Sequence, residues 1–217
     1  MTNWKLLYKA DGDGAMQFAE LLVRDGESTL RKGAVFTHGT VEQVASFDTA
    51  ERKLMENGYQ LQRDWHFDRE NRDYSLLEKE LASVISADPE FPDSNALAIV
   101  TDSCFMTVGF ALHQFEDIES ADDEELWIVD EWGDWNDDWQ LDPAYRWIVG
   151  YGYNDQLDGE EHNDFCDHVR KSFLTVLKSF ASTKDILLIY VGGDDSGHQW
   201  SAECMDEELA RRMLEWI

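Results

Sequence analysis

Trp4-Lys-Leu-Leu-Tyr8, Met16-Gln-Phe-Ala-Glu-Leu-Leu-Val23 and the run from Thr29 to Thr37 decide how the chain begins. Each is rich in strand-forming residues, and Asp11-Gly-Asp-Gly14 and Asp25-Gly26 between them carry the residue types that tight turns require. The expected result is an antiparallel meander. After Phe47, Asp48-Thr-Ala-Glu51 has the acid and the glutamate spacing of a capping box, and the helix it opens should end at Asn57-Gly58, ahead of Tyr59. A small sheet carrying one helix of about ten residues is therefore predicted for residues 1–62.

Gln62 to Tyr74 alternates charge without a clean period and reads as a linker. Beyond it, Leu76, Leu77, Leu81, Val84 and Ile85 recur at helical spacing as far as Asp88-Pro89, where proline stops the helix. Ala96 to Val100 and Phe105 to Leu112 read as paired strands separated by Thr101-Asp-Ser-Cys104. An acidic loop and a Trp-rich segment follow, and Pro143 opens a helix through Trp147 toward Tyr153. From about Glu161 to Ser182, Phe165, Val169, Phe173, Val176, Leu177 and Phe180 share one helix face. A strand from Ile186 to Val191, a turn at Gly192-Gly-Asp-Asp-Ser-Gly197, a strand from His198 to Ala202 and a helix from Asp206 to Trp216 complete the order. The expected class is α+β: a small antiparallel sheet plus helix module, then a larger module at 72–217 of helices packed on a mostly antiparallel sheet.

The net charge of −28 is unevenly spread. Residues 1–70 hold 12 acids against 9 bases, whereas residues 71–217 hold 34 against 9, a contrast that favours two modules. From Glu80 to Tyr145 there are 18 acids and no Lys or Arg in 66 residues. Such charge disfavours anionic phosphate backbones and anionic lipid surfaces, which are held chiefly by Lys and Arg. Cys104, Cys166 and Cys204 are odd in number and widely spaced, so no disulfide framework is expected. The N-terminus shows no basic segment followed by an apolar run, and no window approaches the roughly 20 apolar residues of a membrane span. A cytoplasmic protein without a membrane segment is the expectation.

The segment Lys32-Gly33-Ala34-Val35-Phe36-Thr37-His38-Gly39, with Ala50 in the following helix and Gly58-Tyr59 after it, resembles a divergent WGR domain. Gly33, Val35, Thr37 and Gly39 fit that family's frame, while its signature Trp and Arg fall on Lys32 and Ala34 and its second Gly on Phe36. The resemblance implies the fold of residues 1–62, and the departures remove the groups that would contact a nucleic-acid end. A WGR-type adaptor that binds nucleic acid through this module remains an alternative function. About residues 72–217 resemble the bacterial domain of unknown function 4303 family, through the early strand pair, Glu131-Trp132 after an acidic loop, and a late strand followed by an Asp-rich turn. Small acidic domains of this class often accompany secreted toxins as immunity partners, so the resemblance implies toxin neutralisation by binding rather than catalysis.

The candidate chemistries each have a plainer explanation. His162 and Cys166 share a helix face and could supply two of the four ligands of a tetrahedral zinc, but no second cluster exists and His168 points elsewhere, so packing is the simpler role. Asn154-Asp-Gln-Leu-Asp158-Gly159 departs from a calcium loop, with Phe165 where the bidentate Glu should stand. Asp195-Ser196-Gly197-His198 is explained by a hairpin turn. Cys104 has no basic neighbour in sequence to activate it. A carboxylate-based hydrolase or metal-dependent enzyme near Glu131 and Asp194-Asp195 is the alternative, since an acid beside Trp132 has the apolar context that raises a carboxyl pKa. No catalytic residue, metal ligand or cofactor is assigned.

The remaining feature is the segment from Trp127 to Trp139. Trp among carboxylates suits Arg or Lys side chains by stacking, cation–π contact and charge together. Trp132, Trp135 and Trp139 also have a helical spacing, which is a core pattern. The acids from Asp117 to Glu125 read as a solvated loop that steers a partner. The candidate contact residues are therefore Asp130, Glu131, Trp132, Asp134, Trp135, Asp137 and Asp138. The expected function is an acidic protein-binding module, an immunity protein whose partner is a basic protein such as a toxin.

Overall fold

The computed structural model describes residues 3–10, 16–24, 26–35, 37, 39–64, 74–103, 105, 107–132, 144, 148, 159–192 and 195–217. The chain divides into two compact units, Met1–Arg72 with Arg146–Gly159, and Asp73–Tyr145 with Glu160–Ile217. It is an α+β protein with one antiparallel five-stranded sheet and one mixed three-stranded sheet. The Asp11–Gly14 turn, most of the linker, Cys104, most of the Pro143 helix and Asn154 to Asp158 lie outside the described residues, while Ala144 and Ile148 are helical and buried.

In the first unit β1 (Asn3–Ala10), β2 (Met16–Arg24), β3 (Glu27–Ala34), β4 (Thr40–Val44) and β5 (Gln60–Leu61) lie in the order β4-β3-β2-β1-β5. The meander is present, but its third strand stops at Ala34 and a further strand, β4, continues it. That strand was not legible because it is an edge whose first four residues are exposed, so it has no alternation of buried and exposed positions. The helix α1 (Phe47–Glu56) covers the sheet with Phe47, Ala50 and Leu54 against Leu7, Ala19, Leu21 and Leu30. Its N-cap is Ser46, whose hydroxyl accepts from the Thr49 N–H at 3.4 Å, and not Asp48. At its C-terminus Gly58 has a φ of 88°. There the Tyr59 and Gly58 N–H groups donate to the Leu54 and Met55 carbonyls, a Schellman closure that favours glycine.

In the second unit β6 (Ala96–Thr101) lies between β7 (Gly109–His113), antiparallel to it, and β8 (Ile186–Val191), parallel to it. Every residue of β6 and of β8 is buried, which is why both read as continuous apolar runs. Ala96, Ala98, Val100, Ile186, Leu188 and Tyr190 share one core, and the alternation sends Leu97, Ile99, Leu187 and Ile189, equally buried, to the opposite face. Its helices include α2 (Tyr74–Ala87), α3 (Asp123–Trp127), α4 (Gly159–Ser179), α5 (Ser196–Ser201) and α6 (Glu207–Trp216). Phe165, Val169, Phe173, Val176 and Leu177 of α4 are buried as their spacing predicts.

Two local expectations fail for identifiable reasons. The strand expected from Phe105 begins only at Gly109, because Phe105 takes a φ of 56° and the Thr101 hydroxyl donates to the Thr107 carbonyl at 2.7 Å, closing the loop. The strand expected from His198 to Ala202 is instead α5 and a short 3-10 turn, Ala202–Cys204. Helix α5 lies along the open edge of β8: the Ile189 N–H donates to the Ser201 hydroxyl at 2.7 Å, which donates in turn to the Gly197 carbonyl. A Cβ at Gly197 would stand 2.2 Å from the Ile189 carbonyl oxygen, so only glycine allows the helix this near. The Asp-Ser-Gly run therefore opens a helix that shields a sheet edge and is not a hairpin turn.

Candidate functional site

The site is built on the arch that leaves β7 and runs to Trp132. Asn95 fixes its start, since the Asn95 side chain donates to the Phe115 carbonyl at 3.0 Å and accepts from the Phe115 N–H at 2.9 Å. Asp117 then folds a turn about itself, accepting from the Glu119 N–H at 3.1 Å and the Ser120 hydroxyl at 2.7 Å. These bonds favour the charged form and hold the Asp117 carboxyl below its ordinary pKa, the serine bond contributing most. Asp122 caps α3 through the Glu124 N–H at 2.9 Å. From α6, Arg212 donates to Asp123 at 2.5 Å and to the Ile118 and Ala121 carbonyls at 2.9 and 2.6 Å. Short polar residues thus give the arch a fixed course, and one arginine ties it down.

Below the arch, Leu126, Trp127, Val129 and Trp132 are buried in the core with Phe115 and Met213. The Trp132 indole N–H donates to the Glu125 carbonyl at 2.9 Å, and only 5% of the residue is exposed. This corrects the expectation for Trp132: its ring is part of the core and is not a free platform for stacking. Asp130 is exposed and accepts from the Tyr190 hydroxyl at 3.1 Å. Burial first, then the bond and charge of Asp130, push the Tyr190 pKa up to about 12. Glu131 belongs to the 3-10 turn Val129–Trp132, while Asp134, Trp135, Asp137 and Asp138, with Trp139, lie outside the described residues. Of the seven candidate contact residues, Asp130, Glu131 and Trp132 are thus seen together in one turn.

The acids upstream, expected as a solvated loop that steers a partner, lie on an ordered backbone. Glu116, Asp117, Glu119, Asp122, Glu124 and Glu125 are all exposed, and among the described residues none has a Lys or Arg nitrogen within 4 Å; only Asp123 in this arch does, through Arg212. The signal that could have identified them is the pair of short-range caps, Asp117 with Ser120 and Asp122 with Glu124, which turn a charge run into an ordered surface.

The other candidate centres are differently disposed. His162 and Cys166 do share a face of α4, with Nε2 to Sγ at 3.5 Å, while His168 donates to the Asp164 carbonyl and stacks on Tyr74 at 5.0 Å between ring centroids. Among the described residues no group of three or more His, Cys, Asp or Glu side chains could hold a metal ion. Burial pushes the Cys204 thiol up to about 11, which disfavours the thiolate. His198 is buried, with Nε2 donating to the Trp127 carbonyl at 2.9 Å. Asp195 is exposed, and Asp194 lies outside the described residues. Among the described residues no helix is long and apolar enough to cross a membrane. No family model matches the chain, and no curated protein or solved structure matches it.

Proposed function

We propose that this protein is a cytoplasmic acidic binding module that neutralises a basic protein by covering its cationic surface, as an immunity protein does for a toxin. One observation carries the reading: the exposed carboxylates from Glu116 to Glu125 are held on a braced arch, and among the described residues only Asp123 of that arch has a basic side chain beside it. Unneutralised like charges in proximity repel one another, so the arrangement lowers the free energy of any state in which an external cation meets them. Because caps and Arg212 already fix the backbone, little further ordering opposes binding. Carboxylates at such positions also raise the encounter rate with a basic surface and repel acidic ones.

The test is capture of a partner from the native cell with the full chain, followed by calorimetry on the purified pair. The captured protein should be basic, and its affinity should fall about tenfold or more from low to physiological ionic strength. Glu119→Lys with Glu124→Lys should weaken it at least as much. A partner with an acidic or neutral contact surface, or an affinity insensitive to salt, overturns the reading.

A further inference from the structure

At the head of the arch is a cavity of about 440 Å³, whose lining includes His113, Phe115, Glu116, Asp117, Glu125 and Trp132. Three of these are rings and three are carboxylates. The rings form a connected wall: His113 to Phe115 is 4.3 Å between centroids, Phe115 meets Trp132 edge-on at 5.9 Å, and His113 to Trp132 is 6.1 Å. Each ring is also fixed by hydrogen bonding of itself or its neighbour. The His113 Nδ1 lies 3.1 Å from the Trp132 carbonyl, which can only accept, so Nδ1 carries a proton.

The three carboxylates differ in what they have left to offer. Both oxygens of Asp117 are engaged by Ser120 and the Glu119 N–H. Glu116 and Glu125 make no side-chain hydrogen bond or ion pair among the described residues. Among the described residues the lining therefore combines three packed rings with two uncommitted carboxylates and contains no Lys or Arg.

We propose that this cavity is a pocket for an arginine side chain, the anchor of the basic partner, and the assignment rests on the binding role proposed above. A guanidinium is weakly hydrated, and its planar N–H fork reaches acceptors in several directions at once. Glu116 and Glu125 accept the charge-assisted bonds at the mouth of the cavity, above the packed edge of His113, Phe115 and Trp132. An ammonium would reach the carboxylates but would lose part of the fork. A neighbouring cavity of about 530 Å³ shares His113, Gln114 and Trp132 and adds Glu90 and Asp93, which gives an adjacent basic residue of the same segment its own carboxylates.

The experiment follows the Trp132 indole N–H of the full ¹⁵N-labelled chain by NMR during titration with a blocked Gly-Arg-Gly peptide, its citrulline counterpart and its lysine counterpart. The arginine peptide should shift that resonance saturably, the lysine peptide should bind more weakly, and the neutral citrulline peptide should leave it unmoved. Glu116→Gln with Glu125→Gln should lower arginine-peptide affinity about tenfold or more while the rest of the spectrum is kept. An unmoved indole, equal binding of citrulline, or unchanged affinity in the double variant overturns the pocket. If the double variant still binds the captured basic partner in full and with its salt dependence, the pocket is wrong and the binding role stands. Absence of any salt-sensitive binding to a basic partner overturns both.

Discussion

In the first unit Glu20, Glu42 and Glu51 lie within reach of Arg31, Lys32 and Lys5, at 3.5, 2.9 and 2.5 Å. Two of these pairs tie neighbouring strands and the third ties α1 to β1. In the second unit the arch from Glu116 to Asp130 has one such pair among the described residues, Asp123 with Arg212. Acids in the first case take part in the sheet's contacts with its own strands and helix, and in the second Asp117, Asp122 and Asp130 are held by backbone N–H groups and by serine and tyrosine hydroxyls without a counter-charge. The difference teaches that net charge by itself does not make a binding surface. What matters is whether the fold has already supplied the cations.

The two units also differ in how tightly they are packed at an edge, and this gives the largest expected effect. The first sheet leaves β4 open to solvent, whereas β8 is closed by α5 at Gly197. Gly197→Ala should destabilise the second unit by about 3 kcal/mol or more, because the new methyl collides with backbone that cannot yield. Gly192→Ala, where nothing lies within 4 Å, is the control and should be near neutral in chemical denaturation.

An intermediate effect separates bracing from surface pairing. Arg212→Ala removes one charged partner and the donors to two carbonyls of the arch, and should cost about 2 kcal/mol. Lys32→Ala breaks only an exposed pair with Glu42 and should cost about 0.5 kcal/mol or less. Equal losses in urea melts would erase the contrast between the two units.

The last effect appears only in alkali. Tyr190 is raised to about 12 from an ordinary 10.0, so the folded state holds this proton more tightly than the unfolded one. Its contribution is whole below pH 10 and is lost as pH rises toward 12. Stability of the unaltered chain should therefore fall more steeply through that window than stability of Tyr190→Phe, measured as thermal midpoint against pH.

Much of the fold was legible in the residues. The meander, α1, the faces of α2 and α4 apart from the exposed Leu76 and the half-buried Phe180 beyond the helix end, and the double-sided burial of β6 and β8 follow from spacing and composition. What escaped is what depends on contacts distant in sequence. Strand β4 exists because β3 offers it a ladder, and α5 replaces an expected strand because β8 needed its edge covered. The site was half legible for the same reason. Its acidity is written in sequence, but the choice between Trp132 as platform and Trp132 as wall was made by His113, Phe115 and Glu125.

The sequence by itself determined an α+β chain and the concentration of charge in its second part, because these depend on composition and on periods of two and 3.6 residues. Tertiary structure alone decided which carboxylates are spent on local bonds and which are free, and that an aromatic wall stands beside the free ones. Those outcomes depend on side chains as far apart as Asp123 and Arg212 or Asn95 and Phe115, whose meeting no local pattern encodes.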